Sequence, residues 1–265
     1  MRSWDVRTAA AAVVTPDGVV DRHGVTDRPF PLASVTKVLA ALAVHVAVEE
    51  GTVGLDDPAG PEGSTVRHLL AHASGLPPDG DRTPLGRPER TRIYSNVGFD
   101  VLGEHVAAAT GMSFDDYARS ALVDALALPA TTTAGSPAHG YTSSVDDLAA
   151  VIGATTSGRL LAPETLATMT SVAFPDLAGV LPGFGAQDPN PWGLGVEVRG
   201  HKSPHWTADA NSPATWGHFG RSGTFLWWDP EVDLGLVVLT DREFGPWAAE
   251  GWPALSAEVL AEHRP

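Results

Sequence analysis

The stretch FPLASVTKVLAALAVHVAVEEG, Phe30–Gly51, joins a long apolar run to a serine and a lysine near its front, Ser34 and Lys37. Val35, Val38, Leu39, Leu42, Val44, Val46 and Val48 fall on nearly every side of a helix that Gly51 would end, and a helix of that kind is buried on most sides. The chain has only two lysines, Lys37 and Lys202, and one of them is committed to this segment. With the helix beginning at Ser34, Lys37 stands three residues on and shares its face. An unpaired ammonium taken out of water costs several kcal/mol and responds with a pKa below its ordinary value of about 10.4. A serine hydroxyl needs such a neighbour, being weakly nucleophilic until a positioned base takes its proton. The positive end of the helix favours the negative charge that develops on attack. Ser-x-x-Lys is therefore a coherent nucleophile and base; the competing reading is a serine that caps the helix and a lysine that reaches water.

Working outward, TAAAAVVTPDGVVDRHG reads as two short strands about a Pro16-Asp17-Gly18 turn. From Thr65 to about Ala173 the pattern is helical, in TVRHLLAHASG, NVGFDVLGEHVAAATG, SFDDYARSALVDALALP, SSVDDLAAVIGATTSG and APETLATMTS. Ser113 with Asp116 makes a capping pair. Strand signals return in WGHFGRSGTFLWWDPEVDLGLVVLTD, and a last helix spans roughly Pro246 to Glu262. This order predicts an α+β fold: one antiparallel sheet built from both chain ends and flanked by helices, with an inserted, mostly helical lobe. Residues 1–60 and 210–265 form the sheet region and 61–209 the lobe and its loops, in one compact unit.

The composition, 43% hydrophobic and 18% charged over 265 residues, is that of an ordinary globular chain. A net charge of -15 opposes binding to nucleic acid or to an anionic membrane surface, both of which need clustered Lys and Arg. Without cysteine there is no disulfide, thiolate nucleophile or Cys-ligated metal. His201 and His205 in HKSPH are four apart, but Pro204 opposes the helix that would align them and no carboxylate cluster completes a site, so neither metal nor cofactor is expected. At the N-terminus Asp5 interrupts the basic part and Ala9–Val14 is too short for a signal core. Nothing approaches the ~20 apolar residues of a membrane span. The expectation is a soluble, cytoplasmic protein.

Two further motifs accompany Ser34 and Lys37. RIYSNVGF supplies Tyr94-Ser95-Asn96, and TWGHFGRSG supplies His218-Phe219-Gly220 on a strand. Together the three resemble the motifs of the serine β-lactamase and penicillin-binding protein superfamily. Class A members carry Ser-Asp-Asn second; Tyr-Ser-Asn is instead similar to the branch of class C β-lactamases, D-alanyl-D-alanine peptidases and family VIII esterases. The likeness continues in order through LLAHASGLP, GYTSSVDDLA, PWGLGV and FLWWDPEVDLGLVVLTD, from about Ala9 to Asp241. It implies a β-lactamase/transpeptidase-like fold, trimmed between Pro77 and Tyr94 and after Ala121.

The resemblance also implies roles. Ser34 would be the acylated nucleophile and Lys37 its proton partner. Tyr94 would share the base role and pass a proton to the leaving group; which of the two is the formal base stays open. Asn96 would hold Lys37 and a substrate carbonyl or amide. The backbone N–H groups of Ser34 and of Arg221, which follows Gly220, would form the oxyanion hole. His72 looks like a structural histidine. In β-lactamases the third motif carries a lysine suited to a carboxylate; His218, as in many esterases of the branch, is mostly neutral near pH 7 and favours uncharged esters or amides without excluding lactams. Trp206, Trp216, Trp227 and Trp228 are candidates for an acyl pocket or for core packing. No serine has glycine two before and two after it, so the Gly-x-Ser-x-Gly elbow is absent.

The reading is a serine hydrolase working through an acyl-enzyme on Ser34, an esterase or amidase of a small acyl substrate. The competitors are a β-lactamase or D-alanyl-D-alanine carboxypeptidase, an acyltransferase, and a non-catalytic binding protein on the same scaffold. The partner is a small-molecule ester, amide or lactam; the oligomeric state is not legible.

Overall fold

The structure is a computed structural model that describes residues 4–263; Met1–Ser3 and Arg264–Pro265, at the outer ends of the ranges 1–60 and 210–265, lie outside the described residues. β1 (Ala9–Thr15) and β2 (Gly18–His23) form the expected hairpin, with Gly18 at φ +120. β3 (Phe30–Pro31) runs into a 3-10 turn, Ala33–Val35, and α1 (Thr36–Glu49) follows. The middle holds α2 (Val66–Leu70), α3 (Asn96–Thr110), α4 (Phe114–Ala118), β4 (Thr142–Ser143), α5 (Val145–Thr156) and α6 (Pro163–Thr170). Short strands β5 (Gly179–Leu181), β6 (Gly185–Gln187) and β7 (Glu197–Val198) precede the long ones, β8 (Trp216–Gly220), β9 (Thr224–Asp229) and β10 (Leu234–Thr240), and α7 (Pro246–His263) ends the description. The helix read in TVRHLLAHASG is only five residues long, because His72 turns into the left-handed region at φ +55.

The main sheet has the order β2-β1-β10-β9-β8-β7, with antiparallel pairing throughout. Both chain ends build it, as the strand signals predict. Its edge strand β7 and the helix α5, which packs on β1 and β10, come from the stretch read as the inserted lobe.

Successive strand residues face opposite sides of a sheet, and here both sides are covered. Ala10, Ala12, Val14, Leu226, Trp228, Val237 and Leu239 join the core beneath α1 and α5, whereas Ala11, Val13, Phe225, Trp227, Leu236 and Val238 join the core beneath α7. That double covering explains why LGLVVLT in β10 reads as an unbroken apolar run. On β8 the same alternation sends Phe219 to the α7 side and Trp216 to the α1 side. His218 and Gly220 share the parity of Trp216, so the third motif presents them toward α1.

α1 is buried along most of its length, including Val38, Leu39, Leu42 and Val44 at no more than 2% exposure. Each such side chain contributes roughly 1.5–3 kcal/mol on burial, so together they exceed the several kcal/mol that one buried ammonium costs. No helix among the described residues is long and apolar enough to cross a membrane.

One close approach fixes α1 against the loop before β7. Gly195 sits at φ +101, and a Cβ there would overlap the Ala41 methyl group. Gly195→Ala is expected to destabilise the protein by roughly 2 kcal/mol or more, because overpacking adds to backbone strain. Urea unfolding checks this, and an unchanged midpoint would contradict the close approach.

Candidate active site

Ser34 lies in the middle of the 3-10 turn and does not start the α-helix; α1 begins at Thr36 with Val35 as its N-cap. The turn is held apart by contacts that are distant in sequence: Ser222 Oγ donates to Pro31 O at 2.7 Å and Thr224 Oγ1 to Leu32 O at 2.9 Å. Ala33, just before the nucleophile candidate, has φ +45, a region that non-glycine residues rarely occupy outside over-determined sites. No side-chain capping bond forms at the turn or at α1, so Ser34 is not a helix cap. It is partly exposed.

Gly220 seats the end of β8 against this turn. A Cβ on Gly220 would collide with Leu32 O, stand 2.5 Å from Thr224 Oγ1 and 3.2 Å from Ser34 N. The glycine therefore lets β8 approach the Ser34 backbone directly. Neither the Ser34 nor the Arg221 N–H donates to a backbone carbonyl in the turns and loops here, which leaves both for an oxyanion.

Lys37 is fully buried, so it does not reach water. Its Nζ donates to Asn96 Oδ1 at 2.6 Å and to Ala138 O at 2.8 Å, and lies 4.7 Å from the centre of the Tyr94 ring. Burial lowers its pKa from 10.5 to about 7, with Asp100 and Asp79 acting in the opposite direction. Asp100 accepts from Ser136 Oγ, which in turn accepts from the Ala138 N–H. The carbonyl that receives the lysine thus belongs to a fixed turn.

The Tyr-Ser-Asn motif is a helix start. Ser95 is the N-cap of α3, its Oγ accepting from the Gly98 N–H at 2.8 Å. Capping puts Tyr94 just outside the helix and Asn96 at its first position, on either side of the fixed serine. Tyr94 Oη is buried next to the Ser34 hydroxyl but makes no hydrogen bond of ordinary geometry. Burial raises its pKa above the ordinary tyrosine value; the Ser34 hydroxyl opposes that rise, whereas Glu197 and Asp79 reinforce it. Asn96 Nδ2 donates to Asp79 Oδ1 at 2.8 Å, which fixes the amide with its oxygen toward Lys37. His72 Nδ1 accepts from the Ser95 N–H at 3.1 Å, and its ring lies 4.7 Å from that of Tyr94, a packing position behind the motif.

His218 is buried, with its ring centre 5.8 Å from Tyr94 and 5.5 Å from Trp192. Burial, with Lys37 adding to it, lowers its pKa to about 3, so the ring is neutral near pH 7. Ser34, Tyr94, Asn96, His218 and Arg221 line one cavity of about 440 Å³. A larger cleft of about 860 Å³ beside Tyr117 and Arg159 contains none of the motif residues, and chemistry favours the smaller one. The tryptophans proposed for an acyl pocket lie elsewhere: Trp216 and Trp228 fill the α1 core, and Trp206 and Trp227 the α7 core. The cavity uses Trp192 instead.

Several wall and supporting residues escape the sequence reading. Glu197, 1% exposed on the cavity wall, pairs with Lys202 Nζ at 2.6 Å, His205 Nε2 at 2.8 Å and Trp206 Nε1 at 2.6 Å. Burial would raise its pKa, but Lys202 and His205 together outweigh burial and hold it well below the usual carboxylate range. The second lysine is therefore structural, and the His201–His205 pair does not converge: His205 is buried on Glu197 and His201 is exposed. Arg92 is buried and donates to Ala173 O at 2.8 Å, Phe174 O at 2.9 Å and Asn190 O at 2.9 Å, anchoring the loop that carries Tyr94. A lone Arg before a tyrosine carries no sequence signal for such a role.

An antiparallel sheet closed by both chain ends, with Ser-x-x-Lys ahead of the central helix and Tyr-x-Asn at a second helix start, is the β-lactamase/transpeptidase-like arrangement. The Beta-lactamase family profile matches residues 2–261, and the chain belongs to that family. It superimposes on the crystal structure of a β-lactamase from Mycobacterium bovis with TM-score 0.98 and 52% identity, over 100% of this chain and 98% of that one. D-amino acid amidase from Ochrobactrum anthropi shares the fold at TM-score 0.76 and 21% identity, over 97% of this chain and 96% of the other. Penicillin-binding protein 4* of Bacillus subtilis is 29% identical over 129 residues, which span 37% of this chain and only 29% of that protein's length. Membership supports a serine hydrolase.

The lowered pKa of Lys37 has a thermodynamic consequence. Below about pH 7 the folded and unfolded chains both carry the proton, and folding bears the full cost of the buried charge. Between about 7 and 10.5 the unfolded chain binds more protons, so this group makes stability rise with pH. Urea unfolding of wild type and Lys37→Met at several pH values is expected to shift in favour of the wild type as pH rises through that window. A difference that does not vary with pH would contradict the burial argument.

Proposed function

We propose that the protein is a serine hydrolase of the class C-like branch that forms an acyl-enzyme on Ser34, acting as an esterase or amidase on a small, uncharged acyl substrate. The observation that carries this reading is Lys37, desolvated and tied by two hydrogen bonds, one turn from Ser34. With a pKa near 7 it is substantially unprotonated at neutral pH, whereas Tyr94, raised by burial, is not. Lys37 is accordingly the base that accepts the Ser34 proton. Tyr94 acts as a neutral relay that passes a proton to the leaving group, so its hydroxyl both gives and receives.

Attack joins Ser34 Oγ to the substrate carbonyl carbon, and the backbone N–H groups of Ser34 and Arg221 receive the oxyanion. Collapse breaks the bond to the leaving group, which departs with the relayed proton. Water then repeats the sequence on the acyl-enzyme, with Lys37 again as base. Asn96, already bound to Lys37 through its oxygen, has one amide hydrogen left for the substrate.

The neutral His218, where β-lactamases of the resemblance carry a lysine, removes the charge that a penicillin carboxylate would meet and favours the esterase reading. A β-lactamase is the second reading, favoured by the description of the Mycobacterium bovis structure.

Hydrolysis of p-nitrophenyl butyrate and of a chromogenic cephalosporin, by wild type and Ser34→Ala, separates the two. The ester is expected to turn over in the wild type only, with kcat/KM rising through about pH 7 and falling by roughly 10²–10⁴ in Lys37→Met. Turnover of the cephalosporin alone would replace the esterase reading with the β-lactamase one. No turnover of either, with no fluorophosphonate adduct on Ser34 by intact mass, would end the hydrolase reading.

A further inference from the structure

Apart from the Ser34 and Tyr94 hydroxyls, which the reaction itself uses, the side-chain groups that the cavity leaves open are hydrogen-bond acceptors. His218 Nδ1 lies 2.6 Å from the Phe219 carbonyl oxygen. A carbonyl can only accept, so Nδ1 carries the proton and Nε2 of the neutral ring keeps a lone pair. That Nε2 is buried, 2% of the residue being exposed, and has no partner among the described residues. The unpaired acceptor is a standing cost until something donates to it.

Asp79, solvent-exposed on the same cavity wall, is the second acceptor. Its Oδ1 takes the Asn96 amide at 2.8 Å, while Oδ2 takes no donor and no cation pairs with the carboxylate among the described residues. The cations nearby are already occupied or weakened. Lys37 is bound to Asn96 and Ala138, and Lys202 to Glu197 and the Pro191 carbonyl. Arg221 is exposed, and water and salt screen its charge as they do that of the exposed Asp79, so the buried His218 Nε2 is the stronger of the two acceptors. The donors that remain, the Tyr94 hydroxyl, the second Asn96 hydrogen and two backbone N–H groups, are those used by the reacting carbonyl and its leaving group. A substrate carboxylate in this cavity would set lone pair against lone pair at His218 and like charge against Asp79. A donor, and best an ammonium, satisfies both positions.

Resting on the serine-hydrolase reading above, we propose that the cavity selects esters or amides bearing a hydrogen-bond donor, above all a primary ammonium, near the reacting carbonyl, with Asp79 and His218 as the specificity-determining residues that receive it.

Three matched boronic acids test this on the full chain: phenylboronic, 3-(aminomethyl)phenylboronic and 3-carboxyphenylboronic acid. In each, Ser34 Oγ donates a lone pair to boron, a boron–oxygen bond forms, and the serine proton passes to Lys37, so the adduct mimics the tetrahedral intermediate. Inhibition constants are read against p-nitrophenyl butyrate. The aminomethyl compound is expected to bind about tenfold more tightly than the parent and the carboxy compound about tenfold more weakly. Asp79→Asn should remove most of the aminomethyl advantage, and His218→Lys should make the carboxy compound the tightest of the three. Equal constants in the wild type, or a preference for the carboxylate, would overturn the proposal while ester turnover leaves the hydrolase reading intact. If none of the three inhibits and Ser34→Ala hydrolyses the ester as fast as wild type, both readings fall together.

Discussion

One ammonium group kept out of water organises this molecule. Lys37 is fully enclosed, and the two acceptors that tolerate it, Asn96 Oδ1 and Ala138 O, come from residues 59 and 101 positions away in the chain. A buried cation without such partners would be untenable. The first turn of α1, the cap of α3 and the turn before β4 must therefore meet at one point. The apolar body of α1 supplies the burial energy that makes the meeting affordable. Desolvation then does chemical work, because the loss of water that threatens stability is what brings the lysine toward its neutral form.

A second constraint brings the two ends of the chain to the same place. β1 and β10 pair along their lengths, and the β8–β9 hairpin beyond them grips the Ser34 turn through Ser222 and Thr224. Gly220 has no side chain to keep the strand away. The period of two along β8 then decides which residues face the serine, so His218 lies on the cavity and Phe219 in the α7 core. The α7 core and the site are two faces of one strand, and a one-residue slip in register would exchange them.

Much of this was legible in the chain because it is written locally. A Ser-x-x-Lys spacing, an alternating strand, a cap before a helix and an apolar run between Gly and Pro turns are short-range signals, and they sufficed for the sheet made from both ends. Tyr94, Asn96 and His218 were joined to Ser34 and Lys37 by the family resemblance, and the structure puts Ser34, Tyr94, Asn96 and His218 on one cavity with Lys37 buried behind it on Asn96. What escaped is long-range. α1 starts at Thr36 and not at Ser34 because a hairpin nearly 200 residues away holds Leu32. Glu197, Lys202, His205 and Trp206 form a closed cluster across an irregular loop with no period to reveal it. Asp79 sits in a Pro- and Gly-rich segment that reads as mere connection, and Arg92 serves four carbonyls from three places, Ala71, Ala173–Phe174 and Asn190. Of the two readings of the C-terminal tryptophans core packing holds: Trp216, Trp227 and Trp228 lie on β8 and β9, which are covered on both faces, and Trp206 joins the α7 core.

The most direct measurement is the titration of Lys37 itself. With only two lysines in the chain, protein labelled with ¹³C at the lysine ε carbon gives two resonances, and Lys202→Arg assigns them. A desolvated Lys37 titrates with a midpoint near 7 in the folded protein. A midpoint that stays near the ordinary value of about 10.4 would mean that water reaches the ammonium, and the account of both the fold's central contact and the site's base would be wrong.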